Sequence, residues 1–268
     1  MKTILKYPGA KNRIAHWICG FIPRHNVYLE PFAGSLAIFF NKQPARIETL
    51  NDLDENVVNY FRVLREKPRE LIEQLMLTPF SRTEYYNAFE VDNNDTDVER
   101  ARKFAVRCWQ GFGASNVYRN GFRSSQQSNS PHCTKEWGGL PNRLIKASKR
   151  LLNAQIENLP AIEIIKRYNT SDVFIYADPP YLTSTRKPNL YNHEMADADH
   201  EELLLLLLDH PGKVIISGYE NDMYDDFLRG WHKEHKRTQA EAGNIRTETL
   251  WLNYTTEQMT LFNIRKGE

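Results

Sequence analysis

Cysteine is scarce in this chain: Cys19, Cys108 and Cys133 are the only three in 268 residues. The number is odd and the spacing is not that of metal ligands, which argues against a disulfide framework or a zinc site. Long apolar runs are missing as well. The longest, Leu203 to Leu208, is far too short to cross a bilayer. Met1 to Lys11 carries charges and Pro8 rather than an apolar signal segment. These absences exclude the secreted and membrane classes and leave the expectation of a soluble, cytoplasmic protein without a membrane partner. An excess of one charge is also lacking, because 35 Lys and Arg meet 34 Asp and Glu for a net +1. What is present is a globular balance: 41% hydrophobic, 26% charged and 12% aromatic residues, enough for a sizeable core.

The near-neutral total hides a division. Between Glu99 and Arg150, eleven Lys and Arg face only Glu99 and Glu136, so this segment is +9 and the remainder −8. A basic middle can hold a polyanion through phosphate contacts, or it can be solvated helix faces. Either side of it, apolar runs alternate with helical periodicity. Val27–Leu29, Ile47–Leu50, Gln155–Glu157, Val173–Tyr176 and Lys213–Ser217 read as strands, and helices are expected at Arg13–Phe21, Leu36–Asn41, Glu55–Glu66 and Glu201–Leu208. That rhythm argues for a parallel sheet covered by helices. It breaks between residues 68 and 138, where helices cluster before a Gly, Ser and Asn-rich stretch. The architecture expected is an α/β domain made of residues 1–67 and 139–268, interrupted by a mostly helical insertion at 68–138.

The most specific feature is Asp178-Pro179-Pro180-Tyr181, directly after an apolar strand. Open α/β sheets bind ligands beyond the carboxyl ends of their strands. Two prolines stiffen the turn and donate no backbone hydrogen bond. A carboxylate, a rigid carbonyl and a flat ring together suit a planar base with an exocyclic amino group. Asp178 and the Pro179 carbonyl would accept its two hydrogens, and Tyr181 would stack on the ring.

Four segments in order, Lys6-Tyr7-Pro8-Gly9-Ala10-Lys11, Glu30-Pro31-Phe32-Ala33-Gly34, Asp52 and Asp178-Pro179-Pro180-Tyr181, resemble the Dam-like DNA adenine-N6 methyltransferases. The resemblance spans most of the chain outside 68–138. It implies a Rossmann-like methyltransferase sheet with helices on both faces, S-adenosylmethionine as methyl donor, and double-stranded DNA as partner with no obligatory protein partner. It assigns Tyr7, Lys11, Phe32, Gly34, Asp52 and Asp178 to the cofactor. Asp52, about twenty residues after the glycine turn, would accept the ribose hydroxyls, and Lys11 would meet the methionine carboxylate. The family turn often carries a second glycine two residues after the first, where this chain has Leu36, so tighter packing is expected.

Within this resemblance Asp178, Pro179, Pro180 and Tyr181 are the catalytic turn, acting on an adenine flipped out of the duplex. The middle segment becomes the target-recognition region. There Arg119-Asn120-Gly121-Phe122-Arg123 resembles a β-hairpin turn bearing side chains that read guanine and adenine edges, so Arg119, Asn120 and Arg123 are the expected DNA contacts. Trp109 and Phe112 are expected in the core. Asp197, Asp199 and His200 invite a metal reading, but Asp199 as an N-cap, with Glu202 completing a capping box, is the expectation, and no metal. Ser217 lacks a nucleophile elbow. Two alternatives stay open on sequence: an RNA base methyltransferase with the same acceptor turn, and a DNA-binding module whose methyltransferase site has decayed.

Overall fold

The computed structural model describes residues 1–90, 92–113, 118–130, 132–185, 190–239 and 245–255. Among them the apolar runs become β1 (Val27–Glu30), β2 (Ile47–Asn51), β3 (Ala154–Glu157), β4 (Val173–Ala177), β5 (Lys213–Tyr219), β6 (His232–Gln239) and β7 (Ile245–Leu252). They form one sheet in the order β3-β2-β1-β4-β5-β7-β6. The five strands from β3 to β5 are parallel, and β7 is antiparallel to both β5 and β6. Every residue of β4 is buried, as expected of a parallel strand covered on both sides.

Side chains alternate between the two faces with the period of a strand. Phe174 and Tyr176 of β4 enter one core, while Val173, Ile175 and Ala177 enter the other. The first face is covered by α2 (Glu55–Glu66), α3 (Pro68–Leu77), α5 (Asp97–Gln110) and α7 (Leu140–Leu151), through residues such as Tyr60, Leu71, Phe104 and Leu144. The second is covered by α8 (Ala161–Arg167), α9 (Asp197–Leu208) and α10 (Asp222–Phe227), through Ile165, Leu203, Leu207 and Tyr224. Helix α2 shows why: Asp54 caps it by accepting from the Asn56 amide, and Val57, Tyr60, Phe61 and Leu64 line its buried stripe. The α/β class with helices on both faces is therefore as expected.

Residues 68–138 supply α3, α4 (Arg82–Asn87), α5 and α6 (Cys133–Gly138). These helices do not form a body apart. Trp109 is 2% exposed, and its indole donates to the Ile4 carbonyl at 3.3 Å. It shares one hydrophobic core with Tyr28 and Tyr176 of the sheet.

Several local expectations are corrected. Arg13–Phe21 is helical only over α1 (Ala15–Cys19). Leu36–Asn41 is a series of turns, not a helix, because Leu36 has φ +54° and breaks the helical path. The Asn120-Gly121 pair is not a hairpin turn. Neither residue has positive φ, which a type I′ turn needs at both positions, and Phe122 instead forms an isolated antiparallel bridge with Gly111. Phe112 is 71% exposed rather than in the core. In α9 the N-cap is Ala196; Asp199 sits at the third helical position and accepts from the Ala196 amide at 2.7 Å. His200 is buried with its Nδ1 against the Tyr224 hydroxyl, and no metal-holding cluster exists among the described residues.

If 68–138 and the sheet share one core, Trp109→Ala should cost the whole chain about 3–5 kcal/mol. Chemical denaturation followed by tryptophan fluorescence and far-UV circular dichroism should show one transition, shifted to lower denaturant. Two separated transitions would contradict the shared core.

Candidate active site

β1 and β4 are neighbours, yet the chain runs outward from them in opposite directions. A crevice opens beyond their carboxyl ends at such a switch point. Here β1 delivers Glu30-Pro31-Phe32-Ala33-Gly34, β2 delivers Asp52 and β4 delivers Asp178, while the amino-terminal loop Tyr7–Lys11 crosses in front. A cavity of about 280 Å³ results, walled further by Leu159–Ile162 and Tyr191–Met195.

The wall nearest β1 is a tight backbone turn. Gly34 has φ +47°, and a Cβ there would lie 3.3 Å from the Tyr7 ring. Its amide donates to Asp52 Oδ2 at 2.8 Å, and the Asp54 amide donates to Asp52 Oδ1 at 2.9 Å. The following turn keeps a left-handed residue where the resembling family has its second glycine, since Leu36 adopts φ +54° while fully buried. Leucine bears there a backbone cost of about 1–2 kcal/mol that glycine would not. Tyr7 is braced by its hydroxyl, which donates to Asp54 Oδ2 at 3.2 Å.

Two acids on this wall have unusual proton affinity. Burial pushes Glu30 up to about 8, against the hydrogen bond it accepts from Tyr28 at 2.6 Å. Burial pushes Asp52 up to about 7, against the Gly34 and Asp54 amides. Both residues line the cavity.

The opposite wall is the turn that begins at Asp178. Asp178 Oδ1 takes the Lys11 ammonium at 2.9 Å and the Ser217 hydroxyl at 2.8 Å. Ser217 is fully buried and is itself bonded to Tyr176 at 3.0 Å. No partner of Asp178 Oδ2 is found among the described residues. Lys11 is 5% exposed; its second contact is the Gly9 carbonyl at 2.9 Å, and Glu248 lies 3.6 Å away. Burial opposes the Lys11 charge, but Asp178 and Glu248 together hold the ammonium above its ordinary value. The Tyr181 hydroxyl donates to Glu248, and its ring lies under the Lys11 ammonium, 4.7 Å from the centroid.

Of the residues expected from sequence, Tyr7, Lys11, Phe32, Gly34, Asp52, Asp178 and Pro180 converge on this cavity. Pro179 and Tyr181 are buried and do not line it. Arg119, Asn120 and Arg123 sit elsewhere. Arg119 lies over the Tyr86 ring at 4.7 Å, the Asn120 carbonyl accepts from Tyr85, and Arg123 pairs with Glu136 at 3.0 Å. Glu30 stands inside a motif, and its hydrogen-bond partner Tyr28 is only two residues away. Ser217, Glu248 and Tyr191 carry no motif that could have announced them.

The donor set fits S-adenosylmethionine. Carboxylates at one end match hydroxyls, buried acids match a cation, and Phe32, Ile38 and Ile162 give apolar walls for a base. Comparison with known proteins agrees. Residues 7–241 match the family described as D12 class N6 adenine-specific DNA methyltransferase. The type II methyltransferase M1.LlaDCHI of Lactococcus lactis subsp. cremoris is 27% identical over 282 residues, covering 95% of this chain and 96% of that protein. The type II methyltransferase M.MjaIII of Methanocaldococcus jannaschii is 24% identical, covering 87% and 89%. A DNA adenine methylase of Vibrio cholerae is 22% identical over 72% of this chain and 69% of its own length. The chain belongs to the D12 class N6 adenine-specific DNA methyltransferases. Members of this class use S-adenosylmethionine, so the cofactor is as the resemblance implied.

Because Gly34 needs φ +47° and has the Tyr7 ring beside it, Gly34→Ala should lose roughly 1–3 kcal/mol of stability. It should also weaken S-adenosylmethionine binding. A variant with unchanged denaturation midpoint and unchanged cofactor affinity by calorimetry would show that this turn does not set the pocket.

Proposed function

We infer that Asp178 and the Pro179 carbonyl are the acceptors through which this DNA adenine methyltransferase activates its target amino group. The observation that carries the reading is the state of Asp178. It stands at the end of β4 on the cavity wall, with Oδ1 held by Lys11 and Ser217. That leaves Oδ2 as the oxygen for a substrate hydrogen. The adenine amino nitrogen is a poor nucleophile because its lone pair is delocalised into the ring. Two acceptors on its hydrogens draw it towards tetrahedral geometry and localise that pair. The work is positioning and electrostatics, without a covalent intermediate.

S-adenosylmethionine supplies the electrophilic methyl group on a sulfonium cation. When it binds, Asp52 would accept the ribose hydroxyls, Phe32 would pack beside it, and Glu30 in its ionised form would meet its cationic end. Tyr7 and Lys11 border the same space, with Lys11 also committed to Asp178. The target base reaches Asp178 only if flipped from the duplex, and an aromatic face on it returns roughly 1–3 kcal/mol. Tyr181 provides that face beside the Lys11 ammonium. Outside the cavity, Arg119 is exposed on its Tyr86 platform and, with Asn120, contacts the DNA. Arg123 reaches DNA by exchanging Glu136 for a phosphate or base edge. The type II names of two relatives support a sequence-specific modification role on double-stranded DNA.

Two results are expected. Asp178→Ala should abolish methyl transfer to duplex DNA while cofactor affinity stays within a few fold; near-normal turnover would remove Asp178 from the chemistry. Cofactor affinity should also depend on pH. Glu30 and Asp52 are protonated below about 8 and about 7, and their charged forms are the ones that meet a cation and hydroxyls. Affinity should therefore rise as pH increases from about 6 to 9, up to tenfold per unit for each ionisation. Glu30→Gln should flatten the upper part of that rise. Calorimetric titration across this range checks it, and a flat profile in the unaltered protein would exclude both acids from the cofactor.

A further inference from the structure

One buried carboxylate near the cavity is left without a part in these roles. Glu248 sits on β7, only 4% exposed, in a stretch from Glu248 to Leu252 that is buried on both faces. A buried carboxylate without a purpose is costly, and an ionised one needs partners. Glu248 has two. Its Oε1 accepts the Tyr181 hydroxyl and lies 3.6 Å from the Lys11 ammonium. Both partners belong to the acceptor site, because Lys11 holds Asp178 Oδ1 and Tyr181 ends the acceptor turn.

Lysine has three donors and no acceptor. In Lys11 one is spent on the Gly9 carbonyl and one on Asp178, and the direction of the third is set by Glu248. Without a carboxylate there, the ammonium would be free to slide along Asp178 and take Oδ2, the oxygen a substrate hydrogen requires. Tyr181 would lose the anchor on its hydroxyl, leaving the ring held by Tyr219 at 4.7 Å and by Lys11.

We propose that Glu248 is a positioning residue for methyl transfer, which through Lys11 and Tyr181 keeps one oxygen of Asp178 available to the adenine amino group. The proposal rests on Asp178 being the amino-group acceptor. Glu248 touches neither substrate nor cofactor; it acts on the groups that do. The charged and titratable groups facing it are Lys11 from the amino-terminal loop, Asp178 and Tyr181 from the acceptor turn, and Tyr176 from β4. Tyr219 on β5 and Lys236 on β6 stand opposite it in register. Burial, with Asp178 adding to it, raises the proton affinity of Glu248 against the pull of Lys11 and Tyr181. Its ionised form is the one that holds Lys11, so turnover should fall as pH drops through its titration.

The test compares unaltered protein, Glu248→Gln, Tyr181→Phe and their double variant on duplex DNA, measuring kcat and KM against pH and cofactor affinity by calorimetry. Glu248→Gln should lower kcat on the order of tenfold, leave cofactor affinity unchanged, and remove the acid limb that Glu248 produces. Tyr181→Phe takes away a hydrogen bond that favours the charged carboxylate, so the limb should move to higher pH. The double variant should be little worse than the poorer single one, since both act on one unit. Should Glu248→Gln not fold, the direction of the limb in Tyr181→Phe decides, and an unmoved limb overturns the proposal. So does a Glu248→Gln protein with ordinary kcat and pH profile. Asp178→Ala, run in parallel, separates the two readings. If it is active, the acceptor assignment itself fails; if it is inactive while Glu248→Gln behaves normally, only the role of Glu248 falls.

Discussion

The ammonium of Lys11 is the tie on which the site depends. It is buried against Asp178 at the end of β4, Glu248 on β7 and the carbonyl of Gly9 in its own loop. A loop with little regular structure is thereby fixed across the mouth of the sheet. The cation stands between two carboxylates that would otherwise repel each other. Loss of the tie would free the loop that carries Tyr7, and with it the contact that shapes the Gly34 turn.

Much of the scaffold could be read from the chain because it rests on local pattern. Glu55–Glu66 has the same bounds in periodicity and in structure, since a cap at Asp54 and an apolar stripe both lie within the segment. The position of the Asp178–Tyr181 turn at the end of β4 was legible for a similar reason: a uniformly apolar run ends in a motif of unusual stiffness. Leu36–Asn41 failed because leucine, alanine, isoleucine and phenylalanine fit a helix, whereas the left-handed Leu36 is imposed by packing and by its amide reaching the Ala33 carbonyl. Phe112 looks like core by type, and its exposure follows from its place at the start of a loop. Glu248 and Ser217 could not be found at all. Their partners, Lys11 and Tyr181 for one and Tyr176 and Asp178 for the other, are distant in the chain, and no neighbour in sequence marks them.

The basic middle of the chain has a different meaning in three dimensions. Arg102 bridges Glu84 and Glu99, Lys103 pairs with Asp95, Arg100 with Asp97, Arg150 with Glu48, and Arg123 with Glu136. Several of these acids lie outside residues 99–150. A good part of the +9 thus ties this stretch to itself and to the sheet, while Lys135, Lys146 and Lys149 remain exposed on α6 and α7. Charge along a sequence counts what is written there; charge on a surface counts what is left after folding.

The strand order also fixes when the site can exist. β1 lies between β2 and β4, so its pairing on one side waits for Val173 and the residues after it, beyond the whole 68–138 insertion. β7 then enters between β5 and β6, although it follows both in the chain. During synthesis, Lys11 emerges first of the three charged groups and Glu248 last. Until β7 arrives, β5 presents an unpaired edge and the ammonium lacks its second counter-charge. Such long-range closure is slow, and the cluster of Lys11, Asp178 and Glu248 is complete only once β7, the last of the described strands in the chain, has joined the sheet.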